Sequence, residues 1–279
     1  MKGNDFLRKQ EEEYMMDLYE AVFNRRSVRK YRDEKPVPEV LEKVAGIIGQ
    51  AERLNRSINL QIHLITEKKK VDRILRGLVG NLGKIGAPCC LAITSEETEG
   101  YMENAGYSLE NVVLGLTAMG LGTCWNGGRT DDSLLRELLG IDPGQRHLVN
   151  IPFGDLQEGD GLFRLDPAEA KRLDIKEIVQ GQADDTWLGI MEAVRIAPSA
   201  ANSQPWRFLV EGDRAHAYCK RPGNFLAKKL LGDINRLDMG IALCHAMVAA
   251  RHASVALSVE KVEAPVYQDA DYVASLIRI

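Results

Sequence analysis

Aromatic residues are scarce in this chain, at 6% of 279 positions, and no apolar run is long. The longest, Met239 to Ala250, contains His245 and falls far short of the ~20 residues that a spanning helix needs, so no membrane partner is expected. Cysteine is also sparse. Five are present, an odd number, with no CxxC pair, and Cys89 and Cys90 sit together inside an apolar run. That fits a reducing, cytoplasmic compartment better than a disulfide framework. A charge excess of one sign is missing too: 36 basic against 40 acidic residues leave a net charge of -4, which argues against a nucleic-acid partner. His245 and His252 lie seven apart, but no carboxylate completes an HExxH, so no metal site is expected. The N-terminus is too charged for a signal peptide. What remains is 45% hydrophobic and 27% charged, an ordinary globular composition with length for a sizeable core.

Apolar periodicity predicts helices over Phe6–Phe23, Glu39–Arg53, Asn104–Leu121, Asp132–Leu139 and Trp187–Ile196. Strands are predicted over Asn59–Thr66, Ile85–Thr94, His147–Phe153 and Phe208–Val210. The Lys68–Lys70 run reads as the wet face of a further helix, and Gly154–Asp174 as an arm or linker.

Three stretches stand out. Asn24–Tyr31 reads NRRSVRKY and places Arg25, Arg26, Ser27 and Arg29 within five positions. Guanidinium forks match phosphate oxygens in pairs, so the stretch can grip a phosphate, although taken alone it reads as a solvated basic turn. Gly120–Gly128 reads GLGTCWNGG. It lacks the third glycine and the preceding strand of a dinucleotide fingerprint. Its paired Gly127 and Gly128 let backbone N–H groups face a ligand unobstructed. Cys124 within it has no neighbouring base and reads as a packed thiol. Ala197–Trp206 reads APSAANSQPW. Pro198 stops the preceding helix, and Ser199, Asn202 and Gln204 offer a hydroxyl and two amides that suit a flat heterocycle with a mixed polar edge. A plain capping turn is the commoner meaning of such a cluster.

The chain also echoes itself. Asp238-Met239-Gly240 follows Asn104-Ala105-Gly106 at an offset of 134 (240 against 106), and Asn202-Ser203-Gln204 follows Asn59-Leu60-Gln61 at 143 (202 against 59). The second copy has no RRSVR and no GLGTCWNGG.

Taken together, RRSVRKY, GLGTCWNGG, the strand HLVNIPFG and APSAANSQPWRF resemble the FMN-dependent nitroreductase family. Within it the chain is similar to the single-chain pseudo-dimer (TM nitroreductase) subgroup, because the PSxxNxQ segment comes after the first copy is complete. The resemblance covers Tyr19 to about Val179 well and Trp187 to about Ser254 more loosely. It implies an α/β fold of the α+β type, a three-layer sandwich with a mixed, mostly antiparallel sheet, built from a half over 1–180 and a shorter half over 181–279. It implies one FMN, with NAD(P)H as electron donor and a nitroaromatic or quinone as small-molecule acceptor, held by a chain competent as a monomer. An FMN-binding protein with little turnover and a structural relic are the alternatives. By the same resemblance, Arg25, Arg26, Ser27, Arg29 and Arg172 would hold the phosphate and ribityl chain. Pro198, Ser199, Asn202 and Gln204 would pack beside the isoalloxazine. Cys124, Trp125, Gly127 and Gly128 would form the turn over its central nitrogen, with Trp125 narrowing the substrate pocket.

Overall fold

The computed structural model describes residues 16–76, 85–127, 130–157, 161, 163, 164, 166, 170–223 and 225–279. The helices are α1 (Leu18–Asn24), α2 (Pro38–Gln50), α3 (Lys68–Arg76), α4 (Tyr101–Ala118), α5 (Asp132–Leu139), α6 (Ile175–Ile178), α7 (Asp185–Ile196) and α8 (Phe225–His252). The strands are β1 (Leu60–Ile65), β2 (Cys89–Ser95), β3 (Gly122–Thr123), β4 (Arg146–Gly154), β5 (Val179–Gly181), β6 (Trp206–Glu211), β7 (Arg214–Lys220), β8 (Leu257–Glu260) and β9 (Ala270–Arg278). This is the α+β class that the resemblance implies, with a mixed and mostly antiparallel strand set divided between two sheets. One sheet runs β1-β2-β4-β3 and is antiparallel throughout. The other runs β5-β6-β7-β9-β8, and only β5 pairs parallel, with β6.

The element ends follow local chemistry. Asp131 accepts a hydrogen bond from the N–H of Ser133 and opens α5, and Gly140, at φ 66°, closes it. Asp184 accepts from Trp187 N at 2.8 Å and opens α7. Arg278 at the end of β9 holds the same carboxylate with both terminal nitrogens, at 2.7 and 2.6 Å, and pulls its pKa down. Several predicted bounds shift. Residues 6–15 of the first predicted helix lie outside the described residues, and α1 starts at Leu18. Helix α2 ends at Gln50, short of Arg53, and β2 starts at Cys89, after Pro88. Helix α4 starts at Tyr101 because Gly100 takes the left-handed conformation at its N-cap, φ 79°. Strands β7, β8 and β9 fall where the sequence pattern predicts no element.

The strand order is the same on both sides: β1-β2-β4-β3 matches β6-β7-β9-β8. Each long helix packs on its own sheet, α4 on β1, β2 and β3, and α8 on β6 and β7. The two helices cross at a pair of glycines. A Cβ on Gly106 would stand 2.0 Å from the carbonyl oxygen of Leu237, and one on Gly240 would stand 2.0 Å from that of Glu103. Leu237 and Glu103 are themselves 134 apart, so the contact is reciprocal, as across a twofold axis. The second offset does not hold. Asn59 stands one residue before β1, whereas Asn202 stands four before β6. The equivalent loop positions are instead Asn55 and Ala200. Asn55 N donates to Asn104 Oδ1 at 2.9 Å, and Ala200 N donates to Asp238 Oδ2 at 3.1 Å.

Candidate functional site

After α1 the chain runs out extended along the edge of the first sheet. Ser27 bridges Thr123 in parallel, and Val28 N donates to Thr123 O at 2.8 Å. Gly122 is required there, since a Cβ would stand 2.9 Å from the Val28 side chain. Sheet pairing therefore brings the arginine stretch against the glycine turn. Arg25 and Val28 are buried, Arg26 and Ser27 are half-buried, and Arg29 is exposed. The basic-turn reading is thereby replaced by a paired extended segment.

The segment from Pro198 to Gln204 arrives from the other side. Ala201, Asn202 and Gln204 all have positive φ, at 51°, 55° and 47°. That region disfavours side-chain-bearing residues, so surrounding contacts must hold it. Asp238 accepts from Ala200 N. Gln204 N donates to Ser199 Oγ at 3.0 Å. Asn202 Nδ2 donates to Lys171 O at 3.0 Å, and Arg172 Nη1 donates to Asn202 Oδ1 at 2.7 Å. Arg172 also donates to the carbonyls of Ile196 and Ala197 at the end of α7. This arm thus ties the loop to the preceding helix.

Between the two segments lies a cleft of about 870 Å3, within the range of small-molecule and cofactor sites. Arg25, Arg26, Ser27, Arg29, Trp125, Gly127, Arg172, Pro198, Ser199 and Asn202 all line it. Gly128 lies outside the described residues. Two expected residues do not line it. Cys124 is buried behind the turn, and burial raises its thiol pKa despite Arg29 and Arg25 nearby, so it stays a packed thiol. Gln204 is buried as well. Its Oε1 accepts from Leu173 N at 2.8 Å, which fixes the arm rather than facing a ligand. Other lining residues carried no local signal: Arg164 and Asp238, and the apolar Met102, Leu148, Val149, Ile234, Leu237 and Ile241. Arg164 was legible only as part of a polar arm, and Asp238 only as part of the repeat.

The electrostatics of the cleft are lopsided. Among the described residues, five arginines line it (Arg25, Arg26, Arg29, Arg164, Arg172) against one carboxyl, Asp238. Burial, then Arg164 and Arg25, push the Arg172 pKa down to about 10. Arg25 is 3% exposed, and its Nη1 is buried with no hydrogen-bond partner among the described residues. A buried cationic donor left unpaired is costly, so the cleft is shaped to receive an anion with several acceptor oxygens. Asp238 is a weak counter-charge, since burial raises its pKa to about 7.

Fold and site together define a protein of the nitroreductase type. The family model described as "Putative TM nitroreductase" matches residues 17–250, and the chain belongs to that family. Among solved structures it is similar to a "putative nitroreductase" from Thermotoga maritima, at 22% identity and TM-score 0.63, with 94% of each chain covered. It is also similar to a nitroreductase family protein from Clostridium difficile 630, at 21% identity and TM-score 0.49, covering 59% of this chain and 98% of that one. A third is an FMN-dependent nitroreductase from Clostridium difficile R20291, at 21% identity and TM-score 0.47, covering 57% and 95%. No curated protein matches the chain. Among the described residues, no helix is long and apolar enough to cross a membrane.

Proposed function

We propose that the chain binds one FMN in this cleft and acts as an oxidoreductase, taking electrons from NADH or NADPH and passing them to an electron-poor acceptor of the nitroaromatic or quinone type. The observation that carries the reading is the unpartnered, buried Nη1 of Arg25 within the five-arginine lining. Arg25, Arg26 and Arg29 would hold the phosphate, with Arg164 and Arg172 adding positive charge beside it, because a dianion would give the buried Arg25 Nη1 an acceptor and pair with the guanidinium cluster. Ser27 would reach the ribityl chain. The Pro198–Asn202 loop and the Trp125–Gly127 turn would bound the ring system, and the apolar side chains of α4, β4 and α8 would exclude water from it. When bound, the flavin supplies the two-electron chemistry, and the protein supplies position and polarity.

The proposal extends to the architecture. We read residues 1–180 and 181–279 as two degenerate copies of one unit, so that a single chain, as a monomer, supplies both walls of the site. All five cysteines are free and buried, which is in keeping with a cytoplasmic setting. Trp125 in the cleft wall favours a second reading, an FMN-binding protein with little turnover. Bleaching of the bound flavin by NADH or NADPH, followed by recovery with a quinone, separates the two.

The test of the site is a paired titration with FMN and riboflavin. Arg29→Ala is exposed and should fold normally. It should weaken FMN by about 1.5–3 kcal/mol, roughly 10- to 150-fold, and leave riboflavin nearly unchanged. Equal losses for both ligands would assign the arginines to the fold instead.

A further inference from the structure

Glu110 and His245 are wholly buried, at 0% exposure each, on the facing helices α4 and α8. Glu110 Oε1 lies 2.9 Å from His245 Nε2. His245 Nδ1 lies 2.9 Å from the carbonyl oxygen of Ala193 on α7. A carbonyl only accepts, so the imidazole donates through Nδ1, and the Nε2–Oε1 contact is a hydrogen bond whichever of the two atoms carries its proton. The second carboxyl oxygen, Oε2, accepts from the indole Nε1 of Trp125 at 2.8 Å. Every polar atom of this chain of contacts is used, from α7 through both central helices to a side chain that lines the cleft.

The pair is also where the two halves differ. At the offset of 134, Glu110 corresponds to Cys244 and His245 to Asn111. Those two residues make the mirrored contact, Asn111 Nδ2 to Cys244 Sγ at 3.4 Å. One side of the axis thus holds an amide and a thiol that burial keeps protonated, and the side next to the cleft holds an acid and a base. Packing alone is met by the amide–thiol pair, so the acid–base pair with its further bond to an indole needs another reason.

We propose that Glu110 and His245 are positioning residues for Trp125, holding its indole in one orientation in the cleft wall, and that this fixed ring sets the size of aromatic acceptor that the cleft admits. The size selection rests on the proposed flavin site; the clamp itself does not. An indole free to turn about its side-chain torsions would leave a wall of variable width. One held by a buried carboxylate, itself held by an imidazole, gives a fixed width.

The test compares the wild-type chain with Glu110→Gln and with the double variant Glu110→Cys, His245→Asn. Glutamine keeps an acceptor for the indole and a donor for the imidazole. The double variant installs the pair that already packs on the other side of the axis, and it removes the strong acceptor, since a thiol accepts weakly. The first readout is the indole N–H resonance of Trp125 in the apoprotein, assigned with Trp125→Phe. Among the three tryptophans only Trp125 donates to a carboxylate: Trp187 donates to Gly212 O, and Trp206 Nε1 has no partner among the described residues. The second readout is FMN affinity. The third is kcat/KM for one-ring against two- and three-ring quinones. In the double variant the resonance should move and broaden, FMN affinity should hold, and the ratio between large and small quinones should change about tenfold. Glu110→Gln should stay close to wild type in all three. A resonance that does not move overturns the clamp. A resonance that moves while the quinone ratio stays fixed overturns the size selection. A wild-type chain that binds no FMN overturns the functional reading and the size selection with it, while the indole signal still tests the clamp.

Discussion

Asp238 is a carboxyl that the fold makes costly to ionise, since burial raises its pKa to about 7 while Ala200 N and the Ser203 side chain pull the other way. The folded chain therefore keeps this proton up to about pH 7, whereas the unfolded chain releases it near pH 4. Between those values the unfolded state binds fewer protons, so stability falls as pH rises, by about 1.4 kcal/mol per unit from this group. Asp238→Asn should remove that slope. It keeps an acceptor for Ala200 N, as Asn104 already does for Asn55 N. Melts from below pH 4 to above pH 7 should show the variant stabilised at the alkaline end, and an unchanged slope would mean that the carboxyl is ionised throughout. Asn202 makes the opposite kind of prediction. It tolerates its positive φ better than most residues, and its amide is engaged at both ends by the arm. Asn202→Ala should loosen the loop and weaken FMN by roughly 1–3 kcal/mol, about 5- to 150-fold. Asn59→Ala, at the start of β1, should leave FMN affinity nearly unchanged. Titration of the two apoproteins, with melts as a control for folding, compares them, and matching losses would mean that Asn202 acts through general stability rather than through its loop.

Among the elements, the crossing of α4 and α8 carries most of the architecture, and its tolerance for change is small. Neither glycine has room for a methyl group, because a backbone carbonyl of the opposite helix stands 2.0 Å from where it would go. Gly106→Ala and Gly240→Ala should each force the helices apart at a cost of about 1–3 kcal/mol or more, read as a drop in the denaturation midpoint. Gly49→Ala in α2, which meets nothing within 4 Å, is the control and should be neutral or slightly stabilising. The glycines were legible as small residues in an apolar helix, but their reciprocity was not, because it joins positions 134 apart. The same limit explains what else the sequence concealed. Helix α5 was read correctly because its start and stop chemistry is local. Strand β7, RAHAYCK, buries its five inner residues without alternation, so no period of two marks it. The arginine stretch and the PSAAN loop were visible as local clusters. The partners that complete them were not, since Asp238, Arg164 and the Glu110–His245 pair meet only when the chain folds.

Two clefts of similar size lie among the described residues, and their linings decide how many flavins each pair of walls can hold. The second cleft, about 840 Å3, is built from the elements that the shared strand order makes equivalent: Asn55 and Ile58 before β1, the start of α4, and Val273 and Ala274 of β9. Its charge is reversed. Glu99, Glu103, Asp233 and Glu260 line it against Arg236 and Lys261. Both cations are engaged, Arg236 with Glu103 at 3.1 Å and Lys261 with Glu99. A phosphate dianion placed there would meet two carboxylates not matched by a cation and no arginine cluster, whereas the first cleft offers five arginines and a buried unpaired donor. We therefore expect one FMN per chain. Flavin released on denaturation and counted against protein should give one equivalent, and two would mean that the acidic cleft is a working site. Because α4, β4 and the arginine stretch supply one wall, and α8 and the Pro198–Asn202 loop the other, both walls come from the same chain. Dilution should then leave the flavin bound to a monomer, measured by light scattering alongside flavin fluorescence. Loss of flavin in step with a dimer-to-monomer transition would place part of the site on a second copy.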